Sequence, residues 1–169
     1  SLYIVNAASD DFFENLIIGI DTGLKIVQNH QFKIRKLLAD RIGSDQRGAI
    51  MRGITGNGTD EVYFAREEDA WYRFNPQTFE LDTLQMIDEQ TGEQVTLSCG
   101  RNIEIGNDGY IWGLSCINGR NGRLLRYDRT TCMVRTYLFD HKFTAFTISR
   151  SGTIWLIAEP DSPSGLLIS

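Results

Sequence analysis

The stretch Asp108-Gly109-Tyr110-Ile111-Trp112-Gly113-Leu114, followed after a short gap by Leu124-Leu125-Arg126-Tyr127-Asp128, decides how this chain is read. Asp-Gly ahead of a run of aromatic and β-branched residues is a turn feeding a strand, because glycine supplies the backbone freedom and aspartate bonds its own main chain. The second run carries the same strand character. Asp128-Arg129-Thr130-Thr131 then supplies turn chemistry before a third strand-like segment, Met133 to Phe139.

The theme recurs along the chain. Its other copies are Glu14-Asn15-Leu16-Ile17-Ile18-Gly19-Ile20, Asp60-Glu61-Val62-Tyr63-Phe64-Ala65 and Ser151-Gly152-Thr153-Ile154-Trp155-Leu156-Ile157. Ile17, Tyr63, Trp112 and Trp155 are then equivalent, with a repeat length of about 45 residues. A second strand keeps the register in each copy: Gly23 to Val27, Trp71 to Asn75, Leu124 to Asp128 and Gly165 to Ile168. Further strand-like segments precede each signature (Leu2 to Ala7, Ala49 to Thr55, Asn102 to Ile105, Phe143 to Ile148) and follow the first three (Phe32 to Leu38, Phe79 to Met86, Met133 to Phe139). Phe32 to Leu38 has a short helix as its alternative, but Phe32 and Ile34 alternate as a strand requires. Four strands per unit at this period are the pattern of β-propeller blades.

The expected fold is therefore all-β, with about four antiparallel four-stranded units at approximately 1–40, 41–90, 91–140 and 141–169. The last unit stops after its third strand and lacks a fourth. A part of a larger propeller is the expected architecture. A blade has two apolar faces and buries neither alone, so the remaining blades of the same polypeptide, or another chain, are expected to cover the open edges.

Composition narrows the function. The 169 residues hold 17 basic and 22 acidic side chains for a net charge of -5, with no cationic block able to neutralise several phosphates, so nucleic acid is not an expected partner. The longest apolar stretches, Leu16 to Ile20 and Ile154 to Ala158, are strand-sized, and no membrane contact is expected from these residues. The N-terminal residues Ser1 to Val5 carry no targeting signal. Cys99, Cys116 and Cys132 have no metal-type spacing, which leaves a Cys116–Cys132 bridge as the one pairing considered. No cofactor and no metal are expected. Acid-rich turns such as Asn107-Asp108-Gly109 read as turn chemistry rather than calcium loops.

The signature strand and its successor resemble the two-component regulator propeller repeat, in which an Asp-Gly turn, an Ile-Trp strand and a Gly-Leu strand ending in Arg-Tyr-Asp follow one another. Leu16 to Leu24 is similar with Ile17 at the tryptophan position. Tyr63 and Ala70-Trp71 depart from the pattern in the second unit, and Ser115 to Arg123 reads as an inserted loop in the third. Virginiamycin-lyase-like propellers carry a similar strand. The resemblance implies an extracytoplasmic sensor region of a bacterial histidine kinase or hybrid regulator, periplasmic or extracellular, often responding to carbohydrates.

A non-enzymatic sensing or interaction module is thus the leading expectation. Its alternatives are a propeller lyase or hydrolase with a loop-borne site, and a structural adaptor in a larger assembly. Loops of one propeller face carry function on a rigid scaffold, and they nominate Arg66, Glu67, Glu68, Asn118, Arg120 and Glu159 between second and third strands, and Asp88, Glu89, Arg101 and His141 between units. Their mixed charge and amides would suit a carbohydrate or a polar protein surface. His141 is the weak catalytic candidate, needing a second acid or base beside it. His30 reads as a turn residue, and Trp112 and Trp155 read as inter-blade packing.

Overall fold

The computed structural model describes residues 4–10, 15–20, 23–28, 31–37, 51–56, 61–66, 70–75, 77–78, 80–97, 100–117, 121–140, 142–158 and 167–168, with side-chain surroundings given within 53–158. Every regular element among them is a strand. The first sheet runs β1 (Ile4–Asp10), β2 (Asn15–Ile20), β3 (Gly23–Gln28), β4 (Gln31–Leu37), and the second runs β5 (Met51–Gly56), β6 (Val62–Arg66), β7 (Trp71–Phe74), β8 (Leu81–Thr83). The short β9 (Ile87–Asp88) joins the third sheet, whose spatial order is β10 (Gly100–Ile105), β11 (Ile111–Ile117), β12 (Asn121–Tyr127), β13 (Met133–Phe139) and then β9. The fourth sheet holds β14 (Phe143–Ile148), β15 (Ile154–Ala158) and β16 (Leu167–Ile168). Apart from β9, each sheet is an antiparallel meander in chain order, and first strands sit beside one another, β1 by β5, β5 by β10 and β10 by β14. This is the arrangement of propeller blades, all-β and packed face to face around their inner strands.

Short local interactions set each meander. At the turn after β10, Gly109 takes φ 81°, the Gly106 amide donates to the Tyr110 carbonyl at 2.9 Å, and Asp108 accepts from the Tyr110 amide at 3.1 Å. The turn after β14 repeats this plan with Gly152 at φ 87° and the Ser149 amide donating to the Thr153 carbonyl at 2.8 Å. Between third and fourth strands the Asx turn recurs: Asn75 Oδ1 accepts from the Gln77 amide at 2.8 Å and Asp128 Oδ1 from the Thr130 amide at 2.8 Å. Those backbone donors hold the Asp128 carboxyl below its ordinary range. The Asn107-Asp108-Gly109 turn is thus a backbone device, as the sequence implied.

Alternation along each strand assigns the faces. In β6 and β7, Tyr63, Ala65 and Trp71 point at the third sheet, where they share one buried cluster with Ile103, Ile111, Leu125, Tyr127 and Val134. One step on, Trp112, Leu114 and Leu124 meet Phe143, Phe146, Ile154 and Leu156 of the fourth sheet in a second cluster. Trp112 and Tyr63 thus hold equivalent places, as expected. Trp155 does not share their burial: it is 51% exposed and Ile157 59% exposed, on the face of β15 turned away from the third sheet. The Cys116–Cys132 pairing is not formed, since Cys132 is a free thiol.

Two stretches depart from the sequence reading. Ser115 to Arg123 is not an inserted loop at its ends: β11 and β12 pair without interruption to Ile117 and Asn121, which narrows the connection to residues 118–120. The segment after β8 is not a strand reaching Met86. The chain leaves the second sheet at Thr83, bends, and lays β9 parallel along the outer edge of β13, with Met133 opposite Ile87. Met86 and Leu97 are buried in the cluster between the second and third sheets, with Leu84 and Val95 packed against it. This segment fills part of the space between the second and third sheets.

Close approach fixes the inner part of the same interface. A Cβ on Gly113 would collide with the Trp71 ring, and one on Gly53 would lie 2.6 Å from the Ile103 backbone nitrogen. The fully buried Trp71 therefore packs its ring against a strand position that only glycine permits. Gly113→Ala is expected to destabilise the fold by roughly 1–3 kcal/mol as an overpacking substitution. In a Trp71→Phe background the same change should cost clearly less, as measured by urea denaturation of the four-member mutant cycle. Equal costs in both backgrounds would refute the contact.

Candidate functional site

The sequence nominees divide sharply. Glu67, Glu68, Asn118, Arg120, His141, Glu159 and His30 lie outside the described residues. Arg66 ends β6 opposite Met51, with its side chain likewise outside them. Arg101 is half-buried in β10 opposite Leu114, just before a register shift that leaves Asn102 unpaired against β11. Asp88 caps its own hairpin, accepting from the Gln90 and Thr91 amides at 2.9 Å each, which lowers its carboxyl below the ordinary range. Glu89 pairs with Arg135 at 3.2 Å and Arg126 at 3.9 Å along the third sheet. Asp88 and Glu89 therefore belong to the outer edge carried by β9.

The structure gathers another set, which sequence reasoning did not nominate, in a cavity of about 340 Å³ between the second and third sheets. Tyr63, Arg73, Asp82, Thr83 and Leu84 come from the second sheet and the chain just beyond it, and Tyr127, Arg129 and Cys132 from the third. Arg73 bonds Asp82 at 2.7 Å and Glu61 at 3.3 Å, while Arg129 reaches the same Glu61 carboxylate across the interface at 3.6 Å. The Tyr63 hydroxyl donates to Glu61 and the Arg129 guanidinium stands 6.0 Å over the Tyr63 ring. Alternation explains the gathering. Tyr63 and Arg73 are cross-strand partners on the face turned to the third sheet, and Tyr127 lies on the facing side of β12.

Electrostatics define what the cavity does chemically. Burial, helped by the Glu61 carboxylate and opposed by Arg129, pushes the Tyr63 hydroxyl up to about 12. Burial first, and then a hydrogen bond with Cys132, raises Tyr127 as well. Both phenols stay protonated donors throughout the neutral range, the opposite of the depressed pKa a tyrosine base needs. The arginines are already neutralised by Glu61 and Asp82. Cys132 adds a backbone detail: its φ of 60° is rare for a residue with a side chain, and it turns the Cys132 carbonyl to accept from the Ile87 amide at 3.0 Å. Among the described residues no group of three or more His, Cys, Asp or Glu side chains is placed to hold a metal ion.

Nearer the inner strands, polar side chains bridge neighbouring sheets that share no backbone ladder. Thr55 Oγ1 accepts from the Ile105 amide at 3.3 Å, Asn102 donates to the Phe146 carbonyl at 3.4 Å, and Glu104 Oε1 accepts from the Ile148 amide at 3.4 Å. Burial raises the Glu104 carboxyl above its ordinary range, against the pull of the Ile148 amide and Thr147.

No family model and no curated protein matches this chain. Solved structures do. PorZ, a surface component of the type-IX secretion system of Porphyromonas gingivalis, superposes with TM-score 0.65 at 13% identity, over 90% of this chain and 23% of PorZ. The extracellular domain of BT4673 from B. thetaiotaomicron, described as a one-component system, gives TM-score 0.59 at 11% identity, over 88% of this chain and 20% of that one. A puromycin hydrolase gives 0.56 at 14% identity, over 95% and 26%. The chain spans about a quarter or less of the length of these proteins. At such identities the likeness establishes the propeller fold and nothing of activity.

Glu104 offers a test of the inter-sheet electrostatics. A carboxyl raised on folding binds its proton more tightly in the native state, so it favours folding below its unfolded pKa and forfeits that contribution as pH rises through the folded value. Glu104→Gln is therefore expected to raise the melting temperature at about pH 7 and to give no gain near pH 3.5. Thermal melts at the two pH values check it, and a gain confined to acid would reverse the assignment.

Proposed function

We propose that this chain is a stretch of a non-enzymatic sensing propeller, periplasmic or extracellular, that binds a polar ligand between its blades and passes the event to other parts of its polypeptide. The observation that carries the reading is the cavity between the second and third sheets: its two phenols are donors held away from neutrality, and its arginines are oriented by Glu61 and Asp82. Such a set is preorganised for hydrogen bonding to hydroxyl-rich molecules. A carbohydrate is the ligand class this lining favours. PorZ and BT4673 are surface or extracellular proteins, and this supports the compartment.

Completion of the propeller belongs to the same proposal. Trp155 and Ile157 hold the strand positions that Trp112 and Leu114 use to pack the following sheet, so a further blade, from the same polypeptide or another chain, covers them.

The experiment is a thermal-shift screen of mono- and oligosaccharides on the purified protein, followed by mass spectrometry of each stabilising sugar. A stabilising sugar recovered unchanged, whose effect Arg129→Gln diminishes at least tenfold in apparent affinity, is the expected outcome. Chemical conversion of the sugar would replace the sensing reading with an enzymatic one.

A further inference from the structure

Arg123 stands apart from the other arginines of the third sheet. Arg126 and Arg135 meet Glu89, and Arg129 meets Glu61. Among the described residues Arg123 has no carboxylate partner: its Nη2 donates to the Thr96 carbonyl and to Ser115 Oγ, each at 3.1 Å. Its Nε is buried with no hydrogen-bond partner. Ser115, on which it rests, is itself a buried polar side chain, 4% exposed. Burial lowers the Arg123 pKa. A partly desolvated cation without a counter-ion costs free energy, and folds tolerate one where a ligand supplies the missing charge.

The surroundings say what kind of ligand. Arg123 lines a second cavity, of about 330 Å³, walled by the β9 hairpin and the outer part of the third sheet. Thr91, Thr96, Thr136, Gln90 and Gln94 contribute hydroxyls and amides around it. Two acids also line it and oppose an incoming anion: Asp88, whose carboxylate accepts from the Gln90 and Thr91 amides, and Glu93. This cavity is separate from the one lined by Arg129 and Tyr63, and nothing above assigns it.

We propose that the Arg123 cavity binds a small hydroxylated carboxylate, its carboxylate on the free side of the guanidinium and its hydroxyls among the threonines and glutamines. The charge-assisted contact supplies affinity, and the hydroxyls and amides of the lining select hydroxyl-bearing acids over bare anions.

The test uses D-gluconate, D-glucitol and sulfate at matched ionic strength. Gluconate is expected to raise the melting temperature saturably, on the order of 5 °C at a hundredfold excess over its Kd. Glucitol, which has the hydroxyls without the charge, and sulfate, which has charge without the hydroxyls, should give less than a tenth of that apparent affinity. Arg123→Gln should abolish the gluconate response while melting no lower than the parent without ligand, because it removes an unpaired buried charge. Glu93→Gln should tighten gluconate severalfold, and Arg129→Gln should leave it unchanged. Equal responses to sulfate and gluconate would reduce the site to a simple counter-ion site and overturn the proposal. So would a gluconate response that persists in Arg123→Gln, or the absence of any response in the parent. Sugar binding between the second and third sheets is read separately through Arg129→Gln, so either reading can fail alone.

Discussion

The packing of Trp71 over Gly113 is the contact on which the middle of the molecule depends. A tryptophan contributes about 150–250 Å² of buried surface, and here all of it is spent on joining two sheets that exchange no backbone ladder. Neither sheet has a second layer of its own. The second sheet is closed on this side by the third, and the third is closed by the second, through Tyr63, Ala65 and Trp71 against Ile103, Ile111 and Leu125. A side chain at Gly113 would press on the Trp71 ring, and the inner strands β5 and β10 already approach so closely that a Cβ on Gly53 would meet the Ile103 backbone. The buried Nε1 of Trp71, which has no acceptor, is the penalty of placing the ring there.

From this contact outward, the interface changes character in a way that geometry dictates. Inner strands touch, and single hydrogen bonds from Thr55, Asn102 and Glu104 suffice to tie them. Farther out the sheets diverge, and apolar side chains on the strands no longer meet. The residues after β8 fill part of the wedge with Met86 and Leu97. Where they do not fill it, polar groups line what is left, and a cavity between two sheets results. The same segment that closes the apolar core thus shapes both cavities, since Leu84 and Gln85 border one and Val95 and Thr96 border the other.

How much of this the sequence discloses follows from the range of the interactions involved. The turns were legible because Asp108-Gly109 and Asp128-Arg129-Thr130 carry their own backbone partners within a few residues. The strands were legible because alternation is local, and β13 and β14 begin and end where the pattern places them. Trp71 looked like a breach of the repeat, since nothing nearby in sequence shows the glycine it covers, forty-two positions on. The path of 84–97 was hidden for a similar reason: β9 has two residues, and its pairing with β13 is decided by space left open between sheets. A recurrent irregularity was hidden too. Each first strand skips one residue near its start, at Val5, Arg52, Asn102 and Thr144, four residues with no shared chemistry. A bulge that bends each inner strand is a property of the repeat's shape rather than of any side chain.

The candidate sites were less legible than the fold, and the reason is electrostatic. The signal for the cavity between the second and third sheets was present as cross-strand pairing of Tyr63 with Arg73, but pairing says nothing of which charges meet across sheets. Glu61 is shared by one arginine from each sheet, so its role exists only after the sheets pack. Arg123 is the converse case. In sequence it is one arginine among several, Arg120, Arg123, Arg126 and Arg129, and the three-residue spacing of Arg123 and Arg126 within β12 sends those two to opposite faces. Arg126 therefore finds Glu89 on its face, whereas Arg123 is carried to the opposite face, where it bonds the Thr96 carbonyl and Ser115 Oγ rather than a carboxylate. A cation that the fold desolvates without neutralising is specified by topology, and the free energy it costs is recoverable only by something that brings a negative charge to it.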